Sequence, residues 1–171
     1  GVAYDAEDGV YFDIDKFPRY GELSGVDLGK VERTERVAAD DYDKEDAQDF
    51  SLWKKATPEE LERGLYFESP WGRGRPGWHI ECSVMNKELL GDTVDIHAGG
   101  EDLAFPHHEN EVAQSETVTG KQFVRFWLHM RHLMIDGGKM SKSLGNYVSF
   151  DDVLEKHTPD ALRYFYVSTH Y

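Results

Sequence analysis

His107 and Glu111 stand four residues apart in Pro106-His107-His108-Glu109-Asn110-Glu111, a run opening on a proline suited to a first helical turn. On a helix the two side chains leave one face, a turn apart. Cys82, the single cysteine, adds a third donor of different chemistry. Thiolate, imidazole and carboxylate are all ordinary zinc ligands, with bonds of about 2.0–2.3 Å. The pattern is permissive. A His-x-x-x-Glu pair also occurs as a plain surface pair, and a lone cysteine packs well as a small apolar side chain. The neighbourhood strengthens the metal reading: His108 adjoins His107, Glu109 offers a further carboxylate acceptor, and His97 lies one glycine-rich run upstream. Metal-bound imidazoles need such partners to hold one tautomer. Six of the eight histidines fall between His79 and His132, around the cysteine. Three donors leave a fourth position for another ligand.

A second set suits phosphate chemistry. Gly137-Gly138-Lys139-Met140-Ser141-Lys142-Ser143 places two lysines and two serines on a glycine-led loop. Such a loop can close two ammonium groups over a triphosphate and neutralise charge that builds as pyrophosphate leaves. The plain alternative is an exposed, soluble turn.

These groups need elements to hold them. Val2 to Ala6 and Val10 to Phe12 flank Asp8-Gly9, and the pattern predicts a hairpin with glycine in the turn. Residues 26–48 are charged and aperiodic, as in an exposed connection; Asp49 to Lys54 alternates like a strand. After the Gly/Pro-punctuated stretch 68–77, Trp78, Cys82, Met85 and Leu89 recur at helical spacing up to a capping Gly91. Val94 to His97 predicts a short strand entering a glycine loop, Ala98 to Asp102. A second helix is expected from Pro106 to near Gly120, and a buried strand over Phe126 to Ile135. Ser149 with Asp152 forms a capping-box pattern, and Thr158-Pro159-Asp160 opens a last helix. From residue 64 onward the order is alternating α/β.

Composition bounds the function. The 171 residues allow one domain, or one and a half. No stretch of eighteen apolar residues and no basic-then-apolar leader is present, so neither a membrane span nor a secretory signal is expected. One cysteine excludes an internal disulfide framework and suits a reducing, cytoplasmic setting. Thirty-three acidic residues against nineteen basic ones give a net charge of −14, the wrong sign for phosphate contact. Two readings compete, a chain that never touches nucleic acid and a heavily solvated acidic surface, and the second is favoured. It suits a protein that stays soluble in high salt, where screening reaches only about 3 Å at 1 M.

Lys139 to Ser143 spells KMSKS, which resembles the second ATP signature of class I aminoacyl-tRNA synthetases. Three longer runs carry the resemblance to cysteinyl-tRNA synthetases. They are Gly74-Arg75-Pro76-Gly77-Trp78-His79-Ile80-Glu81-Cys82-Ser83, Asp95-Ile96-His97-Ala98-Gly99-Gly100-Glu101-Asp102-Leu103, and Phe105-Pro106-His107-His108-Glu109-Asn110-Glu111. Asp160-Ala161-Leu162-Arg163 matches the helical region behind the catalytic domain, and Tyr20-Gly21-Glu22-Leu23-Ser24-Gly25 resembles the family's connective insertion. The resemblance implies an α/β fold: residues 1–63 as a mixed, hairpin-containing connective insertion, 64–148 as the second half of a Rossmann-like catalytic domain, 149–171 as the start of a helical stem-contact region. It implies zinc on Cys82, His107 and Glu111, a cysteine pocket lined by Trp78 and His97, and an adenylate nucleoside near Asp102. Lys142, assisted by Lys139, would contact ATP, which comes with magnesium. Ala98 departs from the pattern, standing where the first of three glycines is expected. The family's His-x-Gly-His signature and its fourth zinc ligand, a cysteine, belong to the first half of the nucleotide fold, which these residues do not include.

The implied activity is that of a cysteine–tRNA ligase. L-cysteine and ATP form cysteinyl-adenylate, and the aminoacyl group passes to the tRNA for cysteine, in a cytoplasmic monomer. Zinc would select the thiol, whose pKa of about 8.5 a nearby cation lowers, over a serine hydroxyl. Discrimination of this kind reaches about 10⁴–10⁵. Residues 1–171 by themselves are expected to be inactive. The other readings are an amino-sugar ligase of the mycothiol type, which shares the adenylate, a non-catalytic zinc-binding fragment, and a hydrolytic zinc enzyme using a Glu-activated water.

Overall fold

A computed structural model describes residues 1–26, 49–135, 137–141 and 145–168. The chain is mixed α/β. The reading of 26–48 as connection lies almost wholly outside the described residues.

β1 (Ala3–Asp5) and β2 (Gly9–Phe12) form the expected antiparallel hairpin, with Ala3 opposite Phe12 and Asp5 opposite Val10. Gly9, however, is not a turn glycine. It sits in β2 opposite Lys54, and its φ is not positive. Its missing side chain serves close packing: a Cβ there would collide with the carbonyl oxygen of Trp53. β3 (Phe50–Lys55) pairs with β2, and β4 (Gly74–Pro76) with β3, completing a four-stranded antiparallel sheet in sequence order. Between them lies α1 (Pro58–Glu62), opened by Thr57 and Glu60 in a capping box.

The second layer alternates as expected. α2 (Trp78–Leu90) ends at Gly91, whose φ of 95° suits glycine. β5 (Val94–Gly100) pairs in parallel with β6 (Val124–Met130), and α3 (Glu109–Thr119) makes the connection. Here β5 corrects an expectation. Residues 98–100 continue the strand rather than forming a loop, and Ala98 pairs with Leu128. Past a short turn at Glu101–Leu103, the chain is extended at Phe105 and becomes helical from Pro106, reaching Gly120 in the left-handed conformation. The run 126–135 is not one buried strand. It breaks after Met130 and resumes as β7 (Met134–Ile135), paired with β8 (Gly138–Lys139). Phe126, Leu128 and Met130 are exposed, because the alternating face carrying Trp127 is the one that packs.

α4 (Phe150–Leu154) carries the predicted capping box of Ser149 and Asp152. α5 (Pro159–Ser168) begins at the predicted proline, with Thr158 Oγ1 accepting from Ala161 N at 3.2 Å. Among the described residues, no helix is long and apolar enough to cross a membrane.

Two small cores hold the layers. Phe12, Ile14, Tyr20 and Phe50 meet Ala113 of α3; Val94, Phe123 and Val124 meet Val112 of the same helix. Phe17 packs against both. α2 inverts the expected amphipathic pattern. Met85 and Leu89 are exposed, whereas His79 and Ser83 are buried. What α2 meets is α3, whose facing side chains are polar: Ser83 Oγ donates to Gln114 Oε1 at 2.6 Å.

Gly77 sets how closely α2 starts against the sheet. Its N–H donates to Leu52 O at 2.9 Å, and an added Cβ would overlap the carbonyl oxygen of Ser51. Gly77→Ala should therefore destabilise the chain by about 1–3 kcal/mol or more, as overpacking does. Thr57→Ala, which removes only a helix cap, should cost about 1 kcal/mol. Urea unfolding of both variants checks this; a Gly77→Ala no worse than the cap variant would mean the contact relaxes freely.

Candidate metal centre

α2 and α3 lie side by side, and the candidate donors project between them. Cys82 is on the second turn of α2. His107 is in the turn leading into α3, and Glu111 is on its first turn. Sγ of Cys82, a ring nitrogen of His107 and a carboxylate oxygen of Glu111 all lie within 4.8 Å of one another. The three side chains singled out from spacing are thus brought together. A second trio, His97, His108 and Glu111, satisfies the same limit, so Glu111 is common to both.

Glu111 has no exposed surface. His107 Nε2 is 2.9 Å from its Oε1, and His97 Nε2 is 3.2 Å from its Oε2. Neither contact counts as a hydrogen bond: both carboxylate oxygens and His97 Nε2 are buried without a hydrogen-bond partner. Leaving buried polar atoms unpaired costs about 1–3 kcal/mol each. A divalent cation among these atoms would satisfy them, and a sulfur, nitrogen and oxygen set suits zinc. The residues present therefore fit a metal.

The electrostatics agree. Burial alone would raise the Glu111 carboxyl, but close contact with His107 and His97 outweighs it and holds the group at about 2. The anion is ready at neutral pH. Burial raises the Cys82 thiol, and Glu111 and Glu81 raise it further. Without a cation that sulfur stays protonated; metal binding would release its proton. His108 is pushed down to about 4, chiefly by burial, so it is a neutral imidazole.

Three further histidines belong to the same cluster, and the sequence singles out only His108, beside His107. His79 Nδ1 is 2.7 Å from His107 Nδ1, and His108 Nδ1 is 2.8 Å from His129 Nε2. The sequence held signals for two of them. His79 lies three residues before Cys82, on the same side of α2, and His129 lies two after Trp127, hence on the same face of β6.

The remaining expected residues are found as follows. Trp78, 42% exposed, packs its ring 4.5 Å from that of His107. His97 sits 4.8 Å, ring to ring, from both His108 and Trp127. Both flank the cluster. Glu109 does not support His107: its Oε2 accepts from Ser24 N and Ser24 Oγ, each at 2.8 Å. Asp102 lies 3.4 Å from His132 Nε2 and lines an open hollow of about 410 Å³ with Ser24, Glu101, Ala104, Phe105 and His132. Gly99 and Gly100 allow this crowding, since a Cβ on Gly99 would come within 2.7 Å of His108 Cε1. Lys139 pairs through its backbone with Met134, and Ser141 N donates to Asn146 Oδ1 at 2.8 Å. Lys142 and Ser143 lie outside the described residues.

Known proteins share this arrangement of sequence. The family described as "tRNA synthetases class I (C) catalytic domain" matches residues 1–171. Over 173 aligned residues the chain is 54% identical to a "Cysteine--tRNA ligase" of Chlamydia pneumoniae, covering all of this chain and 36% of that one. Proteins of the same name from Thermococcus onnurineus and Methanosarcina acetivorans are 52% and 50% identical, again across the whole chain and over 35% and 36% of their own lengths. The chain thus spans little more than a third of these relatives.

Zinc titration of the full chain tests the ligand set. One ion per chain is expected. Cys82→Ser should weaken binding by more than the ~10–100-fold typical of losing a group that merely hydrogen-bonds a ligand. If the variant holds zinc as tightly as the parent, Cys82 is not a ligand.

Proposed function

The chain belongs to the class I (C) tRNA synthetase catalytic-domain family, and from that membership we propose that it is the central part of a cysteine–tRNA ligase. The ligase activates L-cysteine with magnesium-bound ATP and esterifies the tRNA for cysteine. The observation that carries the reading is the cluster of Cys82, His107 and Glu111, with buried carboxylate oxygens lacking hydrogen-bond partners. It occurs in a chain about half identical, end to end, to proteins named for that reaction.

Each region then has a part. Residues 1–63 form a connective insertion, residues 64–148 the second half of a Rossmann-like nucleotide fold, and residues 149–171 the start of a helical region. The parallel β5–α3–β6 unit supports the middle assignment, although β4 joins the sheet built by the preceding strands. Solubility and a cytoplasmic, monomeric form follow from the same reading.

Cys82, His107 and Glu111 would hold zinc, which when bound supplies a Lewis acid that a substrate thiol can meet as a thiolate and a hydroxyl meets poorly. The protein's own residues do the rest. Trp78, half exposed above His107, and His97, beside Trp127, close the sides of the substrate pocket and exclude water from it. Asp102, at the edge of the open hollow, accepts from the nucleoside. Lys139 and Lys142 neutralise the phosphates as pyrophosphate departs, a contribution made through position and charge rather than a covalent bond.

The test is a graft. Residues 1–171 substituted for the matched segment of the Chlamydia pneumoniae relative should support cysteine-dependent ATP–pyrophosphate exchange with little response to serine. Lys142→Ala should depress the exchange about 10²–10³-fold if that lysine acts in the transition state. Residues 1–171 alone should show none. Exchange by the isolated chain, or a folded graft that ignores cysteine, would overturn the proposal.

A further inference from the structure

The close pair of Nδ1 atoms on His79 and His107 has a consequence for metal binding. His107 is 6% exposed and His79 2%, so water does not compete for these atoms. They lie 2.7 Å apart, a hydrogen-bond distance, and only one proton can occupy the line between two neutral rings. The other nitrogen of His107, Nε2, faces the candidate carboxylate ligand Glu111, 2.9 Å from its Oε1. A neutral imidazole that ligates through Nε2 must keep its proton on Nδ1.

We propose that His79 is a positioning residue for the metal centre: its Nδ1 accepts the Nδ1 proton of His107 and so fixes His107 as an Nε2 ligand. His79 must then carry its own proton on Nε2. This rests on the metal reading above and adds the group that decides which nitrogen of His107 is available.

The surroundings hold His79 in that role. Phe50 of the four-stranded sheet meets its ring edge-on at 5.8 Å between centroids, and the ring of Trp78 stacks beside it at 5.4 Å. His79 lies on the first turn of α2, whose start is set by the close approach of Gly77 to Ser51. The ring is therefore anchored by packing on one element while it orients a donor on another. His79 would take the place that a carboxylate or backbone carbonyl more often fills beside a metal-bound histidine, and losing such a partner typically costs about 10–100-fold in affinity.

Two measurements on the full chain test the assignment. Long-range proton–nitrogen correlation spectra of the zinc-loaded chain, assigned with H79N, report which ring nitrogen carries each proton. The expected result is His107 protonated on Nδ1 and His79 protonated on Nε2; His107 protonated on Nε2 overturns the proposal whether or not H79F folds. Zinc affinity is the second readout. H79F keeps a ring against Phe50 but offers no acceptor, and should bind zinc about 10–100-fold more weakly than the parent. H79N, whose amide oxygen stands near the place of Nδ1, should recover most of that loss. A simple packing role predicts the reverse order, with H79F the better binder, and equal affinities also overturn the proposal. If the parent chain itself takes up no zinc, the metal reading fails and this inference falls with it; if the parent binds and H79F binds equally, only the inference falls.

Discussion

Glu109, Asn110 and Glu111 are consecutive on α3, and none has any exposed surface. Burying three polar side chains in one helical turn is unfavourable unless each finds a partner, and one of them is an anion. The partners come from separate parts of the chain. Ser24 donates twice to Glu109, Tyr20 hydrogen-bonds Asn110, and His97 and His107 approach Glu111. These contacts draw the segment after the hairpin and the strand β5 onto this turn of α3. The apolar cores are arranged around the same helix, with Ala113 entering one and Val112 the other.

That arrangement explains what the sequence revealed and what it concealed. Local signals were legible because they need only neighbouring residues. The capping box at Ser149, the helix ends at Gly91 and Gly120, and the one-turn spacing of His107 and Glu111 all appear as read. Inferences that assumed an apolar interior failed. α2 buries His79 and Ser83 rather than Met85 and Leu89, because the surface it meets is the polar side of α3. Glu109, read as support for His107, is taken by Ser24, some 85 positions away in sequence. Gly9 looked like a turn residue, but its role appears only once Trp53 lies against it. In each case the missing information was a partner distant in sequence.

The charge of the chain and the charge of the site follow different rules. A net charge of −14 spreads over surface carboxylates that water and salt screen. At the centre the ratio is inverted: one carboxylate, Glu111, is faced by His97 and His107, with His108 beside them. Burial keeps His108 neutral, while the two imidazoles in contact with Glu111 keep that side chain ionised. A neutral imidazole is a ligand and an imidazolium is not, whereas a carboxylate ligates best as the anion. Burial thus favours a neutral His108, while Glu111 stays an anion against its burial through its contacts with His107 and His97.

The thiol is the exception, and it shows what such a centre gives up. Cys82 is pushed toward the protonated form by its own burial and then by Glu111 and Glu81. A nearby lysine would favour the thiolate, yet it would also neutralise Glu111 and compete for the same space. Among the described residues imidazoles are the basic neighbours in contact with Glu111, and the group that would ionise the sulfur is the metal itself. Donor set, burial and charge then reinforce one another only when the ion is present, and without it both oxygens of Glu111 stay buried and unpaired. An apolar residue in place of Glu111 would remove that cost and remove the site with it. Glu111 thus costs the fold stability that a bound cation would return.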